Sequence, residues 1–130
     1  MKVKLTALLL CTLVAVVPQL RAKTILPDAC GDDKVSFDVK TVKDQPPPAP
    51  PAKGKAQIIF VETMDKEGLI MGGNPTIRFG LDGAWAGAND GNSYFVVEVD
   101  PGVHHVCSDW GKKTGEDSFT AVAGNVYYWE

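Results

Sequence analysis

The chain has 130 residues, a net charge of −3 at pH 7 and three cysteines. That length is enough for one domain with a modest core. A net acidic chain repels phosphate backbones, so the composition argues against nucleic-acid binding. The sequence has no run of lysines or arginines that would predict a membrane-surface patch.

The first 22 residues have the layout of a secretory signal peptide. Lys2 and Lys4 precede an apolar stretch over residues 5–17, and Ala22 is the small residue that signal peptidases favour. The stretch is shorter than the roughly 20 residues of a membrane span. We therefore predict that residues 1–22 are removed, leaving a secreted or periplasmic protein with no transmembrane segment and a charge of −6, since three basic and no acidic residues are lost. An uncleaved N-terminal anchor is the alternative.

Removal of the signal peptide leaves two cysteines, Cys30 and Cys107. Two cysteines in a small exported domain usually pair, because the compartment is oxidising. We predict a Cys30–Cys107 disulfide, and two buried thiols are the alternative.

The N-terminal part divides into a lead and a proline-rich segment. Residues 23–42 form the lead, in which Val35–Val39 alternates apolar and polar residues and predicts a first strand. Residues 43–55 contain five prolines, which favour an exposed polyproline II linker. A ligand for a proline-recognising partner is the alternative for this linker.

Residues 56–130 predict the core of an all-β domain. No stretch has helical periodicity, and turn signals recur every 8 to 12 residues, which is typical of a sandwich or barrel. Asp82-Gly83 is a strong hairpin signal, and residues 64–75 and 111–117 are predicted loops. We predict a small antiparallel β-sandwich of about seven or eight strands. The predicted core strands are Ala56–Glu62 (covered on both faces), Thr76–Leu81, Ala84–Gly87, Tyr94–Val99, Val103–Trp110, Ser118–Ala123 and Val126–Trp129.

The order of these motifs resembles the DUF2846 domains of bacterial exported proteins and lipoproteins. The resemblance covers about Ala56–Trp129, and the Pro-Gly-x-His element is also similar to PEGA-type envelope domains. It implies a β-sandwich at the cell envelope, in a family without an assigned function, and supplies no catalytic residue. Its sharpest elements are Asp82-Gly83, Pro101-Gly102 with His104, and Tyr127-Tyr128.

Residues with reactive side chains do not form a recognisable catalytic or metal motif. His104 and His105 are adjacent on a strand and point to opposite faces, so they cannot easily hold one ion. We expect His104 to be hydrogen-bonded to backbone or solvent. No serine lies in a Gly-x-Ser-x-Gly motif, and Asn89–Asn92 lacks the ligand set of a calcium loop. We predict no metal and no cofactor.

Aromatic side chains are the better candidates for binding. Trp85, Trp110 and Tyr94 are predicted as a possible binding surface, and Tyr127–Trp129 lies near a turn as well. Trp85 has small neighbours that would leave its ring accessible, although large aromatics usually complete the core. We predict a non-enzymatic envelope protein with a structural or protein-interaction role, whose partner is an envelope protein or a glycan. The alternatives are a carbohydrate-binding module using Trp85 and Trp110, and a hydrolase without a recognisable motif.

Overall fold

A computed structural model describes residues 27–63, 76–111 and 113–130. The predicted signal peptide and the predicted 64–75 loop lie outside these residues. Nowhere in the described ranges is there a helix with the length and apolarity needed to cross a bilayer. The strands are β1 (Ala56–Glu62), β2 (Thr76–Leu81), β3 (Ala84–Asp90), β4 (Ser93–Val99), β5 (Gly102–Trp110), β6 (Lys113–Ala121) and β7 (Val126–Trp129).

The seven strands form two sheets, which confirms the predicted all-β sandwich. One sheet has the order β4-β1-β7 and the other β3-β2-β5-β6. All neighbouring strands are antiparallel except β1 and β7, which are parallel. The parallel pair differs from the expected antiparallel arrangement. It arises because β7 follows β6 of the opposite sheet and crosses over to the free side of β1.

The core lies between the sheets and is centred on β1. Every residue of β1 except Val61 is buried, which confirms that this strand is covered on both faces. The ring of Phe60 lies 5.1 Å from that of Phe79 and 5.0 Å from that of Phe95. Burial of a phenylalanine side chain stabilises the fold by about 1.5–3 kcal/mol, and here Phe79 of one sheet packs against Phe60 and Phe95 of the other.

One side of the sandwich is closed and the other is open. β3 and β4, at adjacent sheet edges, are joined by the tight Gly91-Asn92 turn, and Asn89 Nδ2 donates to the Phe60 carbonyl across the sheets. β6 and β7 are the edge strands on the other side. We call the region between β6 and β7 the open side.

The turns follow the sequence signals more closely than the strand ends do. Asp82 and Gly83 both have positive φ, 52° and 86°, as a type I′ hairpin turn requires. β3 is longer than predicted, extending to Asp90. The predicted 111–117 loop is wrong beyond its start, because β6 begins at Lys113 and pairs with β5 along its length. β6 is an edge strand whose first residues face solvent, so it lacks the apolar alternation that marks a strand in sequence.

The predicted strand at Val35–Val39 is wrong, since these residues have no regular secondary structure and pair with no described strand. The Val35 carbonyl instead accepts a hydrogen bond from Arg78 Nη1 (2.7 Å). Alternation in the sequence does not by itself supply a strand to pair with.

The proline-rich segment is docked on the sandwich. Tyr94 Oη donates to the Pro46 carbonyl (2.7 Å), Gln57 Nε2 donates to the Ala49 carbonyl (3.0 Å), and the Ala52 N–H donates to Glu98 Oε1 (2.7 Å). Proline lacks an N–H but keeps its carbonyl, so such a segment can accept bonds from side chains without joining a sheet. Residues 39–52 form a strap over the β3 and β4 edges.

Candidate functional site

The two turn motifs that are most distinctive in the sequence meet in the structure. His104 Nδ1 lies 2.7 Å from Asp82 Oδ2, and the His105 backbone N–H donates to Asp82 Oδ1 (2.8 Å). Asp82 lies in the β2–β3 turn, whereas His104 follows the Pro101-Gly102 turn that carries the chain from one sheet to the other. The carboxylate of Asp82 therefore ties the hairpin turn to the crossover.

Both ring nitrogens of His104 face oxygen acceptors. Nε2 lies 2.7 Å from the Asp100 carbonyl, which can only accept, and Nδ1 faces the Asp82 carboxylate. Only the doubly protonated ring can donate to both. The bond to the Asp100 carbonyl and the bond to Asp82 raise the pKa of His104 above its ordinary value, against the opposing effect of burial.

The pKa values of the two carboxylates around His104 are lowered, whereas that of His104 is raised. Burial tends to raise the pKa of Asp82, but the hydrogen bond from the His105 N–H and the contact with His104 outweigh it, so the pKa is lowered. A 2.8 Å bond to Lys55 lowers the pKa of Asp100 and raises that of Lys55. The Lys55–Asp100 pair is exposed and contributes little to stability.

His105 points to the other face, as predicted. Its side chain is 61% exposed, and its Nδ1 lies 3.9 Å from Asp82 Oδ1. Among the described residues, no serine hydroxyl is hydrogen-bonded to either histidine, and no group of three His, Cys, Asp or Glu side chains could hold a metal ion. The expected backbone bond of His104 is present, but sequence reasoning missed its carboxylate partner.

The predicted Cys30–Cys107 disulfide is present, with the Cα atoms 5.3 Å apart. Both cysteines are buried. The lead approaches β2 at Gly80, where a Cβ would lie 2.8 Å from the Ala29 carbonyl oxygen and 2.9 Å from Cys30 Cα. The absence of a side chain at Gly80 therefore allows the lead to pack closely against the sheet.

Trp85 and Arg78 hold the lead next to the disulfide. Trp85 Nε1 donates to the Asp32 carbonyl (2.7 Å), and the Arg78 guanidinium carbon lies 4.3 Å from the Trp85 ring centroid. Arg78 also pairs with Asp109, which is 5% exposed. A cation over an aromatic face and a charged hydrogen bond stabilise the same side chain, so this cluster is an internal anchor.

The three residues predicted as a binding surface contact different parts of the chain. Trp85 packs on the lead, and Tyr94 donates its hydroxyl to the strap. Trp110 lies at the end of β5, with Lys113 Nζ 5.5 Å from its ring. All three are half-buried. Their role in binding stays a prediction, but the structure gives Trp85 and Tyr94 intramolecular partners.

The open side contains a cleft of about 220 Å³. Ile58 and Val106, both buried core residues, contribute to its lining, and the Phe119 and Tyr127 rings pack in a tilted arrangement with centroids 4.7 Å apart. Asp117 adds a carboxylate. The other lining residues are Ser118, Tyr128 and Trp129.

Tyr127 secures one end of this cleft. Its hydroxyl donates to the Thr120 carbonyl (3.1 Å) and accepts from the Val122 N–H (3.0 Å), as in the tyrosine corners of other β-sandwiches. The adjacent Tyr-Tyr-Trp run was a sequence signal for binding aromatics, but its juxtaposition with Phe119 depends on the crossover between sheets and could not be inferred.

Comparisons with protein-family models, with curated proteins and with solved structures find no match to this chain.

Proposed function

We propose that this protein is an exported, non-enzymatic β-sandwich of the cell envelope that recognises another protein through the cleft on its open side. The cleft itself is the observation that carries the proposal. Small-molecule sites usually have volumes of roughly 300–1,000 Å³, and this one, of about 220 Å³, is smaller. Its size suits an apolar side chain projecting from a partner protein.

The chemistry of the cleft supports recognition of an apolar group. Phe119 and Tyr127 offer ring surface, and the main-chain bonds of Tyr127 hold that ring in position. Aromatic side chains held rigidly supply large contact areas at low entropic cost and often dominate interface energetics. Asp117 at the same cleft favours a partner that presents a donor or a positive charge next to the apolar group.

Export is supported by the signal-peptide pattern of residues 1–22 and by the disulfide, because such bonds persist in oxidising compartments. The resemblance to DUF2846 domains belongs to this proposal and points to the same location. The carbohydrate alternative is less well supported. Sugar stacking needs an open ring face, and Trp85 is engaged by Arg78 and by the lead.

A photoreactive amino acid placed on either side of the cleft tests the proposal. Substitution of Asp117 or of Tyr128, which is 72% exposed, should give covalent adducts with one envelope protein in the native cell. The same group at Val42, 69% exposed on the strap, is the matched control. Asp117→Trp, which narrows the cleft, should abolish the adduct formed from Tyr128. Equal labelling from Val42, or an adduct that survives Asp117→Trp, would refute the assignment.

A further inference from the structure

Among the described residues, three of the four sheet edges have another part of the chain beside them or bonded to their backbone. The strap bonds to the Tyr94 and Glu98 side chains of β4 and shares a pocket lining with Ala88 and Asn89 of β3. On β6, Asp117 Oδ1 accepts from the Ser118 N–H (2.7 Å), and Tyr127 Oη donates to the Thr120 carbonyl. Backbone groups bonded in this way cannot pair with an incoming strand, which is how natural sandwiches avoid edge-to-edge association.

The edge of β7 is different. The Asn125 carbonyl accepts from the Gln57 N–H, so by strand alternation the backbone groups of Val126 and Tyr128 point away from β1. Val126 is 38% and Tyr128 72% exposed. The strand carries no charge and no proline, and no described residue bonds to its outward backbone groups. Within the described part of the chain, β7 therefore presents an apolar edge whose outward backbone groups make no hydrogen bond.

We infer that β7 pairs with β7 of a second copy of the chain, antiparallel and about a two-fold axis at Tyr127. This register sets Val126 opposite Tyr128 of the second copy, twice, and each pair can exchange both of its backbone hydrogen bonds. Aromatic and β-branched side chains directly opposite each other are a favourable cross-strand pair. The two exposed residues of this edge are therefore complementary to themselves, and the two three-stranded sheets join into one of six strands.

The positions of the charged residues next to β7 favour the same antiparallel register. It sets Glu130 of one copy opposite Gly124 of the other. The Gly124 N–H donates to the Lys55 carbonyl, so Gly124 lies next to the turn that contains Lys53 and Lys55. The acidic end of each strand thus approaches a basic turn, whereas a parallel arrangement would bring the two acidic ends together. This inference goes beyond the proposed function, because it concerns self-association through the backbone edge of β7, next to a cleft that Tyr128 also lines.

Sedimentation of the exported protein over a concentration series tests the inference. The wild type should be a dimer, and Tyr128→Lys should raise the dimer dissociation constant by about tenfold or more, since two cross-strand pairs are lost at once. Val103→Lys, at a site on β5 that is 65% exposed, is the matched control and should remain dimeric. Because Tyr128 is exposed, both variants should keep the wild-type unfolding transition at concentrations low enough for the wild type to be monomeric, where dimerisation adds no stability.

A second experiment tests the register. Val126→Cys combined with Tyr128→Cys should give a covalent dimer on a non-reducing gel, whereas Val103→Cys should not. A wild-type monomer at all concentrations, or a dimer that Tyr128→Lys and Val103→Lys weaken equally, would overturn the inference. The identity of the photo-crosslinked adduct separates this inference from the proposed function: an adduct with a second copy of the chain from position 128 supports the β7 pairing, and an adduct with a different protein from position 117 supports the cleft assignment.

Discussion

His104 and Asp82 are 22 residues apart in the sequence, and their side chains meet at 2.7 Å. The contact joins the hairpin turn of one sheet to the segment that crosses between the sheets. The Asp-Gly and Pro-Gly-x-His motifs thus form a single structural unit, in which one carboxylate accepts from a ring nitrogen and a backbone N–H. Together the two motifs fix the geometry of the segment that crosses from one sheet to the other.

The His104–Asp82 contact should make stability depend on pH. The pKa of His104 is raised, so its contribution is complete below the ordinary value of 6.5 and is lost as the pH rises through the folded-state pKa. The pKa of Asp82 is lowered, so its contribution is present above 3.8 and is lost as the pH falls through its lower folded value. Stabilisation by this contact is therefore greatest at mildly acidic pH.

Replacement of His104 tests this prediction. His104→Gln should destabilise the protein by about 1.5–3 kcal/mol at pH 5.5, the range for a charged hydrogen bond, and by less at pH 8.5. Urea unfolding at both pH values measures the difference. His105→Gln, at an exposed site, is the control and should leave the pH profile nearly unchanged. A loss on replacing His104 that is the same at both pH values would contradict the charged state of the ring.

Gly80→Ala should loosen the lead from the sheet. The new methyl group would overlap the Ala29 carbonyl and Cys30 Cα, which are backbone atoms that cannot rotate away. Overpacking of this kind costs about 1–3 kcal/mol. Thermal unfolding measures the loss. Gly115→Ala is the control, because its methyl group would meet only the rotatable Ser108 hydroxyl at 3.0 Å. Equal effects of the two substitutions would show that the lead does not depend on Gly80.

Removal of the disulfide should lower the free energy of unfolding more than Gly80→Ala does. The bond joins residues 77 apart, for which the chain-entropy model gives about 4.5 kcal/mol. That is a large share of the roughly 5–15 kcal/mol of a typical domain. Urea unfolding of the wild type with and without reductant should show this loss, and the double variant Cys30→Ser with Cys107→Ser should not respond to reductant. Two alkylatable thiols in the native exported protein would contradict the pairing.

Tyr127→Phe should weaken the connection between β6 and β7. It removes the bonds to Thr120 and Val122 and keeps the ring on Phe119. We expect a loss of about 1–2 kcal/mol for two partly exposed hydrogen bonds. The neighbouring Tyr128→Phe, at an exposed site, should have no effect on urea unfolding. A comparable loss at both tyrosines would show that the hydroxyl of Tyr127 does not have this role.

Local signals in the sequence predict the fold where the structure is determined locally. The Asp82-Gly83 turn has the backbone that its residues favour, and β1 is apolar along its length because both of its faces are covered. The signals fail where pairing with a distant strand decides whether a segment becomes a strand. Val35–Val39 alternates but pairs with no described strand, whereas Lys113–Asp117 does not alternate and is held by β5.

The candidate cleft is harder to predict because it depends on tertiary arrangement. The aromatic run at Tyr127–Trp129 can be read from the sequence, but its position opposite Phe119 follows from the parallel pairing of β1 with β7. The same holds for the contact of His104 with Asp82, which requires β2 to pair with β5. Knowledge of that one strand pair would have indicated the contact, since Leu81 lies opposite Val106.

The parallel pairing of β7 with β1 also bears on how the protein is made. β1, the most deeply buried strand, obtains its second neighbour only from the last strand of the sequence. Until that strand is synthesised, one edge of Ile58–Phe60 stays unpaired, and long-range pairings of this kind form slowly. Between the synthesis of β1 and that of β7 the nascent chain therefore carries a strongly apolar strand with one unpaired edge, so we expect chains truncated before β7 to aggregate more readily than chains that include it.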